Sequence, residues 1–165
     1  MPIAELNAGE QRDLWQRGQE DPIWFFEEVL GGTPWRLQAE ILLALRDNRH
    51  VAVRSSHSVG KTWLAGRAAL WWLYCHIPSI VITTAPTARQ VKYLLWKEIR
   101  TAHARSRFKL GGKPLLQELK LDDDHFALGF TAGEGRTERF QGFHQENILI
   151  ICDEASGISP ELSLI

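Results

Sequence analysis

One stretch constrains this chain more than any other: the short run His50-Val51-Ala52-Val53-Arg54, the loop Ser55 to Gly60, and the long apolar run from Lys61 to about His76. Together they predict a strand, a loop and a helix. Ser55-Ser56-His57-Ser58-Val59-Gly60-Lys61-Thr62 follows the spacing G-x-x-x-x-G-K-[ST], with Ser55 in place of the first glycine. Such a loop turns backbone N–H groups, and those at the start of the helix, toward an anion. In that context Lys61 reaches β- and γ-phosphate oxygens and the Thr62 hydroxyl holds Mg²⁺.

Downstream, Ser79 to Thr84 reads as a second strand, and Pro86-Thr87 opens a helix whose apolar stripe is Val91, Leu94, Leu95 and Ile99. The βαβα alternation predicts a parallel sheet flanked by helices. Leu115–Leu121 and His125–Phe130 are β-like runs around Asp122-Asp123-Asp124, which predicts a hairpin inserted beside that sheet. Thr131 to Gln145 is rich in glycine and polar residues, and Asn147 to Cys152 then reads as a fully buried strand. Upstream, Pro22 to Leu30 predicts a short amphipathic helix ended by Gly31-Gly32, and Thr33-Pro34 predicts the cap and first position of another. The expected organisation is an N-terminal helical segment, 1–32, and an α/β nucleotide-binding domain, 33–165.

The buried strand delivers Asp153 and Glu154 at its carboxyl end, where open α/β sheets bind ligands. There Asp153 would hold Mg²⁺ and Glu154 would polarise an attacking water, although a strand ending in a solvated acid pair has the same local sequence. Gln38, in Trp35-Arg36-Leu37-Gln38, offers an amide able to pair with both edges of adenine, and equally fits a solvated position on an amphipathic helix. Thr84, Thr87, Arg89 and Gln90 stand where a strand end meets a helix start, a place suited to a nucleic-acid phosphate or simply to a capped helix.

Composition bounds the alternatives. With 165 residues, 44% hydrophobic and 24% charged, the chain has the make-up of about one globular domain. A net charge of −1 and a pI near 6.6 exclude a globally basic nucleic-acid binder, so any polyanion contact is local. The basic part is the middle, with eight Lys or Arg and only Glu98 as an acid between Arg89 and Lys113. Lys97, Arg100, Arg105, Arg107, Lys109 and Lys113 there suit a DNA backbone or a solvated face equally. Cys75 and Cys152 lie in apolar stretches and read as buried free thiols in a reducing compartment. Trp24, Trp35, Trp71, Trp72 and Trp96 fall in apolar helical patterns and read as core. His57, His125 and His144 lack ligand spacing for zinc. No run is long enough to span a bilayer.

These residues resemble the ATPase domain of a bacteriophage terminase large subunit, a DNA-packaging motor. The resemblance runs from about Trp35 to Ile165 and rests on Trp35-x-x-Gln38, Ser58-Val59-Gly60-Lys61-Thr62, Thr84-Ala85-Pro86-Thr87-x-x-Gln90-Val91, Gly142-Phe143-His144 and Asp153-Glu154-Ala155-Ser156-Gly157-Ile158. It implies a P-loop NTPase fold of the ASCE, RecA-like type that hydrolyses ATP with Mg²⁺ to translocate double-stranded DNA. It also implies a homo-oligomeric ring, a portal protein and a small terminase subunit as partners, and the bacterial host cytoplasm as location, with no membrane. By position, Gln38 resembles the adenine reader, Ser58 to Thr62 the nucleotide loop, Thr62 and Asp153 the magnesium ligands, and Lys61 and Glu154 the catalytic pair. Where many terminases carry a γ-phosphate-sensing arginine this chain has His57; Arg54, Arg136 and Arg139 are the alternatives. The family expects a further strand, a coupling motif and a nuclease domain after the acidic strand, so the sequence reads as a fragment. A superfamily-two helicase-like translocase shares several of these elements, although Ser156 stands where those proteins carry Asp or His. A truncated nucleotide-binding module without turnover is the remaining alternative.

Overall fold

The computed structural model describes residues 7–56, 59–131 and 145–154. It is a mixed α/β structure in which four strands form a mixed sheet and helices pack on it. Helix α1 (Ala8–Glu20) starts at a capping box: the Asn7 side chain accepts from the Glu10 N–H at 3.0 Å, and Glu10 accepts from the Asn7 N–H at 2.8 Å. Helix α2 (Pro22–Trp24) runs into a π-helical turn, Phe25–Val29, that buries Phe25, Phe26 and Val29. Helix α3 is Arg36–Asp47. It begins two residues later than Thr33-Pro34 suggests, because the Gln38 side chain accepts the Trp35 N–H at 3.2 Å and makes Trp35 the cap. Trp35 therefore projects outward, about half exposed, and is not a core residue.

Helix α4 (Lys61–Cys75) carries almost no polar face. From Leu64 onward, ten of its side chains or glycines are buried, Arg67 included. A helix apolar all round must be enclosed by other elements. Trp71 Nε1 donates to the Gly18 carbonyl of α1 at 2.7 Å, and Trp15 stacks on Tyr74. α4 also packs on α5 (Trp96–Arg105), which continues a π-helical run, Gln90–Leu95. At Gly66 the two helices come so close that a Cβ would sit 3.2 Å from the Ile99 backbone nitrogen.

The sheet order is β2-β3-β1-β4, for β1 (Ser79–Ala85), β2 (Glu118–Asp122), β3 (His125–Thr131) and β4 (Asn147–Cys152). β1 pairs in parallel with both β3 and β4, and β2 is antiparallel to β3. The β2–β3 hairpin expected beside the sheet is thus built into it, since both faces of β3 are apolar enough to be covered. Val81, Ala85, Ala127, Leu149 and Ile151 join the core under the helices. Ile80, Ile82 and Phe130, with Ile148 and Ile150, form a smaller cluster on the opposite face.

Five further expectations differ from the structure. β4, read as fully buried, is half-buried or exposed along its length, because among the described strands it has a neighbour, β1, on one side only. Leu94, read into the apolar stripe with Val91, Leu95 and Ile99, is about half exposed, because the π-helical run Gln90–Leu95 does not keep the 3.6-residue period of that stripe. His50 to Arg54 is not a strand: no described strand lies beside it to complete a ladder, and Val53 is exposed. Leu115 and Leu116 precede β2 and stay exposed, held by Arg100 instead of by strand pairing. Cys75 is buried as read, whereas Cys152 is exposed at the end of β4. Most of Thr131 to Gln145, with Arg136, Arg139 and His144, lies outside the described residues, as does everything after Glu154.

Gly129 tests the packing of sheet on helix. Its missing side chain leaves room for the Trp96 indole and for Val91 Cγ1, which a Cβ would meet at 2.9 Å. Trp96 Nε1 donates at 2.9 Å to the buried Thr83 hydroxyl on β1, so the ring has little freedom to move. Gly129→Ala should cost roughly 1–3 kcal/mol through overpacking. Urea unfolding should show it as a lower midpoint with an unchanged slope.

Candidate functional site

The site forms where the start of α4 meets the carboxyl ends of β1 and β4. Gly60 caps α4 with φ +82°, a left-handed conformation that suits glycine. A Cβ there would also collide with the Gln38 amide, 2.7 Å away. The glycine is therefore required twice, by backbone conformation and by the neighbour it admits.

Lys61 bends back over the loop, its Nζ donating to the Ser56 carbonyl at 2.8 Å and the Ser55 carbonyl at 3.3 Å. Carbonyls are weak partners for an ammonium group, and phosphate oxygens are stronger ones. Thr62 Oγ1 donates to Asp153 Oδ2 at 3.1 Å, across 91 residues of sequence. That bond joins the loop-helix element to the acidic strand end. Asp153 is itself placed by the sheet, because its N–H donates to the Thr84 carbonyl at 2.9 Å and continues the β1–β4 pairing. Glu154 follows in a left-handed conformation, φ +55°, with its N–H on Asp153 Oδ1 at 3.1 Å and its side chain exposed.

Burial raises the Asp153 carboxyl above its ordinary value of 3.8; the Thr62 hydroxyl pulls it down, Glu154 pushes it up and Lys61 pulls it down. A half-buried carboxylate paired with one hydroxyl is a hard-oxygen donor set short of a counter-charge. Those two oxygens suit Mg²⁺, which binds through one or two protein groups with water and phosphate completing its shell. Among the described residues no group of three or more His, Cys, Asp or Glu gathers in one place.

Gln38 is buried against the loop. Its Oε1 accepts from the Trp35 N–H and its Nε2 donates to the Gly60 carbonyl at 3.3 Å, so its amide holds the loop in this arrangement. Arg54 is exposed, and His57 and Ser58 lie outside the described residues. Val59 is half-buried beside Gly60. Thr84 is fully buried with an unpartnered hydroxyl, so its side chain does not present a surface to nucleic acid as its sequence position suggested. Thr87 and Gln90 bond to each other, Thr87 Oγ1 donating to Gln90 Oε1 at 2.8 Å and accepting the Gln90 N–H at 3.2 Å, while Arg89 stays exposed. The part played by the Thr84 carbonyl was missed from sequence, since it depends on which strand lies beside β4.

In comparisons with protein-family models, curated proteins and solved structures, nothing matches this chain. Among the described residues no helix is long and apolar enough to cross a membrane.

The raised Asp153 carboxyl fixes the sign of a pH effect. It holds its proton longer in the folded chain than in the unfolded one. Its contribution to stability is complete below the ordinary value of 3.8 and is lost as pH rises through the raised folded value. Asp153→Asn should therefore lose less stability than the parent chain as pH rises from strongly acid to neutral. Urea melts of both proteins across that range measure the difference.

Proposed function

We propose that this chain is the ATPase part of a phage DNA-packaging terminase large subunit, built on a P-loop NTPase fold and hydrolysing ATP to drive movement of double-stranded DNA. The observation carrying the reading is the Thr62–Asp153 contact, which brings a Gly-Lys-Thr helix start and an Asp-Glu strand end, remote in sequence, to one point. Further support comes from the ammonium of Lys61 over the loop and the Gln38 amide on Gly60.

Thr62 and Asp153 are the residues that would hold Mg²⁺, which when bound neutralises phosphate charge. Lys61 exchanges its two carbonyl partners for phosphate oxygens and stabilises the negative charge that builds between the β- and γ-groups. Glu154 accepts a proton from the attacking water as that oxygen bonds to the γ-phosphorus and the bond to the β-phosphate oxygen breaks. Gln38 holds Gly60 through its amide, and it would have to release that bond or the one to Trp35 N–H to read adenine. The γ-phosphate sensor in this reading is His57 or Arg54. The portal protein, the small terminase subunit, a ring of copies and the host cytoplasm belong to the same proposal.

A second reading, a nucleotide-binding module without turnover, is favoured by one observation: His50 to Ser56 joins no strand ladder among the described residues, so no sheet strand leads into the Gly-Lys-Thr helix start. Binding and turnover distinguish the two.

Calorimetric titration with Mg-ATP should give saturable binding. Lys61→Ala removes charge-assisted bonds worth about 1.5–3 kcal/mol each, so affinity should fall roughly ten- to a hundredfold or more. Unchanged affinity in the variant would overturn the proposal. Binding without phosphate release would leave the module reading.

A further inference from the structure

Among the described residues eight large apolar side chains are exposed, and four of them lie on two segments that are held to the same arginine. Tyr93 (57% exposed) and Leu94 (49%) lie on the π-helical run before α5, and Leu115 (52%) and Leu116 (47%) lie on the loop before β2. Arg100 fastens the two together. Its Nη1 donates to the Leu116 carbonyl at 2.7 Å and the Leu115 carbonyl at 3.4 Å, and its Nη2 to the Lys92 carbonyl at 3.3 Å. The loop is held at two more points, by Leu115 N–H on the Glu118 carbonyl at 2.7 Å and by Gly129 N–H on the Gln117 carbonyl at 2.8 Å. A guanidinium thus ties together two segments that carry exposed apolar side chains, whose contact with water is unfavourable.

The surround is basic. Arg89 and Lys97 stand about one turn before and after Tyr93, Lys92 precedes it, and Lys113 lies two residues before Leu115. Glu98, its side chain about a third exposed, pairs with Arg67 at 3.4 Å, and Glu118 is the acid nearest in sequence to the loop.

We infer that the Tyr93, Leu94, Leu115 and Leu116 patch is a docking surface for an acidic, amphipathic protein segment, its apolar side chains on the leucines and its carboxylates on the surrounding cations. Charge complementarity selects this occupant. The same face of a second copy carries the same positive charge and repels it. A nucleic-acid backbone pairs with cations but gains little from leucines set between them. The assignment is independent of nucleotide chemistry, so it stands or falls separately from the ATPase reading.

The probe is a helical peptide with leucines along one face and glutamates along the other, titrated into the full chain by fluorescence anisotropy. Its control has lysine in place of each glutamate. Saturable binding of the acidic peptide that weakens with salt, with no binding of the control, is the expected result. Leu94→Glu with Leu115→Glu should weaken it by about tenfold or more, and Lys97→Glu with Lys113→Glu should weaken it while flattening its salt dependence. These positions are exposed, and thermal melts check that the variants stay folded. Ile77→Glu, at an exposed apolar residue outside the patch, should leave binding unchanged. The inference is overturned if the acidic peptide fails to bind, if both peptides bind alike, or if the patch variants bind as the parent does. It is equally overturned if duplex DNA binding or self-association, rather than peptide binding, is what the patch variants lose.

Discussion

Burial of α4 is the constraint on which the other elements depend. The sequence from Leu64 to Cys75 offers water almost nothing, so α1, α2 and its π-helical turn, α5 and the sheet must enclose it. Fully buried Trp71 illustrates the scale, since removing such a side chain typically costs about 3–5 kcal/mol. Enclosure also fixes where the helix begins. With its flanks gripped, its N-terminus lies at the carboxyl ends of the parallel strands, within hydrogen-bond distance of Asp153.

The one charge in the middle of that helix shows how tightly it is enclosed. Arg67 has its Nε buried without a partner, while Nη1 reaches Glu98 at 3.4 Å and the Trp63 carbonyl at 3.3 Å. Its guanidinium lies 4.0 Å from the centre of the Trp63 ring, and burial pushes its pKa down against the raising effect of Glu98. Cation–π contact and the Glu98 pair offset part of the desolvation.

How much could be read beforehand follows from what local sequence encodes. α4, β1 and β4 announce themselves as continuous apolar runs, of helix length in α4 and of strand length in the other two, bounded by Gly, Pro or acidic residues. Lys61, Thr62 and Asp153 were legible as types at the right spacing, and the structure brings Thr62 and Asp153 together. Strand order and register were not legible: nothing within His125 to Thr131 says that it lies between β1 and β2, and nothing near Thr84 says that its carbonyl holds Asp153. His50 to Arg54 has strand-like residues, yet a strand exists only through a neighbour. Trp35 and the Leu115-Leu116 pair misled because an apolar residue at a helix cap or in a clamped loop has no inward face to occupy.

The central claim is that Thr62 and Asp153 act as one cation site at the start of α4. Electron paramagnetic resonance of Mn²⁺ with ATP, replacing Mg²⁺, tests it most directly in the parent chain, Thr62→Val, Asp153→Asn and the double variant. If both oxygens serve one ion, each single variant loses the protein-bound Mn²⁺ signal and the double variant loses little beyond the larger single effect. A full signal in either single variant, or losses that simply add, would contradict the claim.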